Sequence, residues 1–80
     1  MPEVFRWGAY RFFFYSNEGN PLEPVHIHVG HGRMTAKFWL RPKVTRAGAT
    51  AFSRKVISQL VSVIEERADE IENAWKEHFG

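Results

Sequence analysis

Three of the four histidines in this chain stand close together, at His26, His28 and His31. Alternate residues of a β-strand share a face, so we expect the first two imidazoles to project from one side, with their Cα atoms about 6 to 7 Å apart. Such a pair could share a phosphate or a metal ion. Zinc takes three or four protein ligands. His31, in the following turn, could be the third ligand, and Glu23 and His78 are more distant candidates for a further one.

The same histidines have a second interpretation as polar residues of a half-exposed hairpin, where imidazole is as acceptable as any amphipathic side chain. No Gly-rich phosphate loop or nucleophile elbow occurs in the sequence, and without cysteine there is no thiolate ligand or nucleophile. We therefore predict no catalytic residue. We expect no cofactor, with zinc at His26, His28 and His31 as the alternative.

Basic residues form a second group of candidates. Arg54 and Lys55 follow Ser53, the best candidate for a helix N-cap, and positive charge at that end opposes the helix dipole. Helix stability therefore does not explain them, whereas a phosphate or carboxylate bound there would. The resulting hypothesis is a ligand or anion site formed by His26, His28, Lys37, Arg54 and Lys55. The alternative is that these basic side chains reach into water.

Charge is unevenly distributed along the chain, although the net charge is only +2. Residues 1–55 contain nine Lys or Arg and three Asp or Glu, which gives +6, and residues 56–80 contain two and six, which gives −4. Such a chain could bind nucleic acid through its basic half and a small partner protein through its acidic half. Two solvated surfaces of opposite sign would give the same pattern.

The length of 80 residues fits one domain over residues 1–80. A chain this short buries only about 60% of its unfolded surface, so modest stability and a homodimer are reasonable expectations. Residues 1–6 lack the pattern of a signal peptide, and no apolar run approaches the roughly 20 residues of a membrane span. With the absence of cysteine, these features predict a cytoplasmic protein without membrane association.

Three segments predict a small antiparallel sheet of about three strands. Residues 9–16 are dense in strand formers and are followed by a turn cluster at residues 16–21. Residues 25–29 and 33–38 alternate apolar and polar side chains on either side of a glycine-containing turn, which is the pattern of a central hairpin.

The register of this hairpin follows from its faces. One face is wholly apolar when the partners are Val29 and Met34, Ile27 and Ala36, and Val25 and Phe38. His28 then lies beside Thr35, and His26 beside Lys37. A slip by one residue would mix the faces.

Five aromatic residues of the predicted sheet could either stack on bases or fill the core, namely Trp7, Tyr10, Phe12, Phe14 and Trp39. Few aliphatic residues precede Val56, so the helical segment needs aromatic rings to pack against. We therefore assign most of these residues to the core.

The C-terminal segment predicts helix. From Ser53 onward, apolar residues recur with gaps of three and four at Ile57, Val61, Ile64, Ala68, Ile71 and Trp75. One helix over this span would be about 40 Å long, so we expect a bend near residues 66–69. Residues 43–50 are loop or a short edge strand. The predicted fold is α+β, with a sheet half at about 4–46 packed against a long or bent helical half at about 52–79.

The segment Glu-Pro-Val-His-Ile-His-Val at residues 23–29 and the ending Trp-Lys-Glu-His-Phe-Gly at residues 75–80 resemble the small prokaryotic family catalogued as domain of unknown function 4160. Two positions depart from its pattern. Val25 replaces a usual proline, and Val56 replaces a usual acidic residue, so that Ser53 must cap the helix alone. The family is uncharacterised, and its members resemble components of two-gene modules, which implies a toxin–antitoxin-like or regulatory pair.

The leading hypothesis is a non-enzymatic interaction module. It would bind a small partner protein through the acidic helix, and nucleic acid or another anion through the basic side of the sheet. The alternative is a small metal- or phosphate-dependent enzyme that uses the cluster of His26, His28 and His31.

Overall fold

An antiparallel sheet followed by two helices makes up residues 3–16 and 23–80, the part of the chain that the computed structural model describes. The sheet order equals the chain order: β1 Glu3–Trp7, β2 Tyr10–Phe13, β3 His26–His31, β4 Met34–Trp39 and β5 Thr45–Arg46. The helices are α1 Arg54–Glu66 and α2 Ala68–Phe79. The α+β class is as predicted, but the sheet has five strands rather than about three.

The two additional strands lie at the edges of the sheet. β1 pairs with β2 across a tight turn at Gly8, whose φ of 58° suits glycine. The prediction missed β1 because an irregularity between Glu3 and Phe5 interrupts its alternation. β5 is the short edge strand considered for residues 43–50. The turn predicted at residues 16–21 lies, beyond Ser16, outside the described residues.

The central hairpin forms, but its predicted register is wrong by two residues. Ile27 pairs with Phe38, and Val29 with Ala36. The connection is a two-residue turn at Gly32-Arg33, in which Gly32 has a φ of 61°. A glycine at the first position of such a turn matches the twist of the strands, whereas the predicted pairing needed a longer loop.

A shift by two residues keeps each side chain on its predicted face, since the side-chain period of a strand is two. The faces are therefore as predicted, and only the partners change. His28 lies opposite Lys37 rather than Thr35, and His26 lies opposite Trp39.

The core lies between the sheet and both helices. Its members that are completely buried are Phe12, Ile27, Val29, Phe38, Leu60, Ile64 and Ile71. Phe14 is also buried and Tyr10 packs against the core, which confirms the core assignment for most of the aromatic residues. Trp7 is 38% exposed.

Both predicted features of the helical half are confirmed. The Ser53 side chain accepts a hydrogen bond from the Val56 backbone N–H at 3.2 Å and so caps α1. The bend falls at Arg67, between the end of α1 and the start of α2. Neither helix has the length and apolar character that a membrane crossing requires.

An ion pair joins α2 to Arg41, two residues after the end of β4. Arg41 Nη2 lies 2.7 Å from Glu72 Oε1. The hydrogen bond that Arg41 donates to this carboxylate, followed by the negative charge of Glu72, raises the pKa of Arg41 above its ordinary value. Further along α2, Trp75 packs against His26 at the beginning of β3, with ring centroids 4.9 Å apart.

Candidate functional site

The sheet face opposite the core carries most of the candidate residues, and we call it the outer face. It is formed by Arg11, Phe13, His26, His28, Lys37 and Trp39. Cross-strand pairing orders these residues, because Phe13 lies beside His28, which in turn lies beside Lys37. The outer face thus brings histidines, cations and aromatic rings together on neighbouring strands.

His26 is completely buried at one end of this face. Its Nδ1–H donates a hydrogen bond to the Pro24 carbonyl oxygen at 2.9 Å, and in the neutral ring Nε2 therefore carries the lone pair. The ring lies edge-on to Trp39 at 5.5 Å and to Trp75 of α2 at 4.9 Å. Full burial keeps this imidazole from contacting a ligand in the structure as it stands.

His28 is half-buried and accessible from the outer face. The His26 and His28 rings meet at a centroid distance of 5.2 Å, so both imidazoles lie on one side of β3, as the alternation predicts. Phe13 stacks on His28 at 5.7 Å, and Tyr15 contacts it edge-on at 4.6 Å. His28 is thus the accessible member of the pair, in an aromatic setting.

Lys37 lies flat against an aromatic ring. Its Nζ is 4.3 Å from the centroid of the Trp39 ring, a cation–π contact. The same Nζ lies 3.1 Å from Glu23 Oε1, so Glu23, considered as a distant metal ligand, forms an ion pair with Lys37. The Lys37 side chain remains 26% exposed.

Arg11 is a site residue that the sequence prediction missed. It pairs across the sheet with Gly30, and its guanidinium extends over that glycine and lies 5.6 Å from the centroid of the Phe13 ring. Within residues 3–16 and 23–80, no carboxylate forms an ion pair with Arg11. The available signal was Gly30, which interrupts the side-chain pattern of β3 and leaves space on the outer face.

The structure does not bring His31 to the other two histidines. His31 is the last residue of β3 rather than part of the turn, and it lies an odd number of residues from His26, which places it on the opposite face. Its ring contacts Tyr10 at 4.9 Å. Across the described ranges, no group of three or more His, Asp or Glu side chains could hold a metal ion. His78, which lies on α2, packs against Phe14 and Phe79.

The family model described as "Domain of unknown function (DUF4160)" matches residues 9–76. The chain belongs to this family. The matched range includes every residue of the outer face and no residue of β1. No curated protein and no solved structure matches the DUF4160 chain.

The predicted anion site of the DUF4160 chain is divided by the fold. Arg54 and Lys55 are exposed in the first turn of α1, on the helical side of the sheet. Lys37 and His28 lie on the outer face. The two basic groups therefore cannot contact one small anion together, although each could bind an anion separately.

Proposed function

We propose that this DUF4160 chain is a non-enzymatic, cytoplasmic interaction module. Its outer face binds single-stranded nucleic acid, and another surface binds a small partner protein in a regulatory or toxin–antitoxin-like pair. The observation that supports the nucleic-acid role is the placement of two cations against aromatic rings on one sheet face, with Lys37 over Trp39 and Arg11 over Phe13. Proteins that bind single strands combine these two types of group.

The cations would contact phosphates. Arg11 has no ion pair with a described carboxylate, so its guanidinium is available to a phosphate without loss of an internal pair. Lys37 would exchange the carboxylate of Glu23 for a phosphate, so that its charge stays paired when nucleic acid is bound. Binding through these contacts weakens with salt, with a slope that falls by about 0.7 for each single-strand phosphate contact removed.

The aromatic groups would stack on bases. Tyr15 is 40% exposed and Trp39 is half-buried, so both could contact a base, whereas Phe13 is only 3% exposed and packs against Tyr15 and His28. A stacked base contributes about 1–3 kcal/mol and needs an unpaired strand. These features favour single-stranded over duplex nucleic acid.

Fluorescence anisotropy with labelled single-stranded DNA and RNA of mixed sequence tests this function. We expect the double variant Arg11→Gln with Lys37→Gln to bind at least about tenfold more weakly and to show a smaller salt slope. Arg54→Gln with Lys55→Gln is the matched control, because it removes the same charge from the helical side. Its affinity should stay within about twofold of that of the unmodified protein.

Two results would contradict the nucleic-acid role. One is the absence of binding at low salt. The other is an equal loss in both double variants, which would show a general charge effect rather than a defined face. Tighter binding of duplex than of single strands would exclude the stacking role of Tyr15 and Trp39.

A small metal- or phosphate-dependent enzyme is the second candidate function. Its support is the His26 ring, whose Nδ1–H is held by the Pro24 carbonyl in the manner of metal-binding or basic histidines, with His28 beside it. The three-histidine form of this proposal would require His31 to leave the opposite face of β3. A form that uses only His26 and His28 would require the buried ring to become accessible.

A further inference from the structure

We infer that the groove between β1 and α2 is the docking site for a basic, extended segment of the partner protein. This inference rests on the partner-binding half of the proposed function and names its surface and chemistry. The groove lies away from the outer face, so one chain could hold nucleic acid and partner at the same time.

The groove combines an apolar floor with an acidic rim. It is a pocket of about 470 Å³, lined by Glu3, Val4, Phe14, Glu70, Asn73, Ala74, Glu77 and His78. The floor suits the methylene stem of a lysine or arginine, and the carboxylates suit its charged head. The volume falls in the range of roughly 300–1,000 Å³ that is usual for ligand pockets.

β1 offers a backbone surface beside this pocket. Within residues 3–16 and 23–80 it is an edge strand whose one partner is β2, so alternate N–H and C=O groups face away from the sheet. An extended segment could pair with this edge as an added strand, a common mode of peptide recognition. Trp7, at the end of β1, is 38% exposed and would supply an aromatic contact of the kind enriched at interfaces.

Charge selects a basic occupant. Among the described residues, three carboxylates line the pocket, and two of them are paired with arginines outside the lining, Glu3 with Arg6 and Glu70 with Arg67. The third, Glu77, has no ion pair within residues 3–16 and 23–80, so a lysine or arginine head group would pair with it and an acidic segment would not. A second copy related by two-fold symmetry would bring the same acidic groove toward this one, which is unfavourable.

Amide NMR of the full chain with two blocked peptides tests the inference. In one peptide valine alternates with lysine, and in the other glutamate replaces lysine. We expect the lysine peptide to shift the amides of Glu3–Trp7 and of residues 73–78, with a Kd of about 1 mM or tighter. The glutamate peptide should produce no comparable shifts.

Two variants and a matched control sharpen this test. Glu77→Lys reverses one charge of the rim, and Ala74→Arg places a cation in the groove covalently. Each should weaken the lysine peptide at least about tenfold. Glu65→Lys makes the same charge change in the last turns of α1, outside the groove, and should leave the affinity within about twofold.

Several results would overturn the inference. They are the absence of shifts with the lysine peptide, shifts confined to other surfaces, equal binding of both peptides, or an equal loss in Glu77→Lys and Glu65→Lys. A dimer that forms through β1, seen by sedimentation and abolished by Glu77→Lys, would assign the groove to a second copy instead. Anisotropy with single-stranded DNA on the same samples keeps a failure here distinct from a failure of the nucleic-acid role.

Discussion

The Arg11 guanidinium occupies the space above Gly30 that the side chain of any other residue would fill. A Cβ atom at position 30 would lie 2.7 Å from Arg11 Nη2 and 3.2 Å from Phe13 Cε1. Glycine on β3 thus allows an arginine of β2 to lie across the outer face. The placement of this cation depends on a residue that has no side chain.

Substitution of Gly30 by alanine should displace Arg11 and weaken nucleic-acid binding. The closest atom is the far end of a flexible side chain, which can move, and alanine loses less conformational entropy than glycine. We therefore expect the free energy of unfolding to change by less than about 1 kcal/mol. The affinity for single-stranded DNA should fall about fivefold, equivalent to ~1 kcal/mol, in the anisotropy assay.

Gly32→Ala is the control for this variant. Gly32 has a φ of 61° and no atom within 4 Å of an added Cβ, so alanine there is strained without touching Arg11. It should cost about 1–2 kcal/mol of stability and leave the affinity for single strands unchanged. An equal loss of affinity in both variants would argue against a role for the position of Arg11.

The two histidines of β3 should differ in their effect on stability. His26 is completely buried between Trp39 and Trp75, so His26→Ala leaves a cavity and should lower the free energy of unfolding by about 2–4 kcal/mol. His28 is half-buried, and His28→Ala should lower it by about 1 kcal/mol or less. Urea denaturation measures both values. A larger loss for His28 would contradict this assignment of the buried ring.

The N-cap of α1 gives a prediction that is independent of function. Ser53→Ala removes the acceptor for the Val56 N–H and should lower stability by about 1 kcal/mol. Ser62→Ala is the matched control, because Ser62 is exposed within α1 and alanine is the better helix former there. The control should be neutral or slightly stabilising in urea denaturation. Equal effects of the two changes would contradict the cap.

Alternation along the chain was sufficient to predict the faces of the central hairpin but not its partners. A register shifted by two residues has the same faces, so the pattern of residues 25–38 cannot distinguish it. The choice is made by the turn at Gly32, where a two-residue connection is available. The sequence pattern therefore predicted that His26 and His28 share a side, but not that His28 lies opposite Lys37.

Helical periodicity predicted most of the buried stripe, and the length of the segment predicted the bend, but the periodicity missed one central residue. Leu60 is completely buried, and it lies three residues after Ile57 and four before Ile64, so it belongs to a wider stripe than the predicted one. A stripe on a helix that packs against a sheet covers more than one line of residues. The spacing of apolar residues shows where such a stripe is centred. How many neighbouring residues are also buried depends on the area of the sheet that the helix covers.

The candidate site was predictable only where it lies within one element. His26 and His28 share a strand, so alternation placed them together. Arg11 lies across the outer face because Gly30, on another strand, leaves space for its side chain. Arg54 and Lys55 do not lie on the outer face because α1 packs on the other side of the sheet. Such contacts between elements depend on topology, which a single sequence does not specify.

Zinc titration separates the interaction module from the metal-dependent enzyme. His26 is buried, and His31 lies on the opposite face of β3, so we expect equimolar zinc to leave the ring resonances of His26 and His28 unchanged in histidine side-chain NMR. The unfolding midpoint should also stay constant, since a ligand that binds only the folded state would raise it. Saturable one-to-one shifts of both rings, lost in His28→Ala, would instead support a metal site. Phosphate added in the same way tests the phosphate-dependent form, for which the expected shift is confined to His28 and the Lys37 side chain.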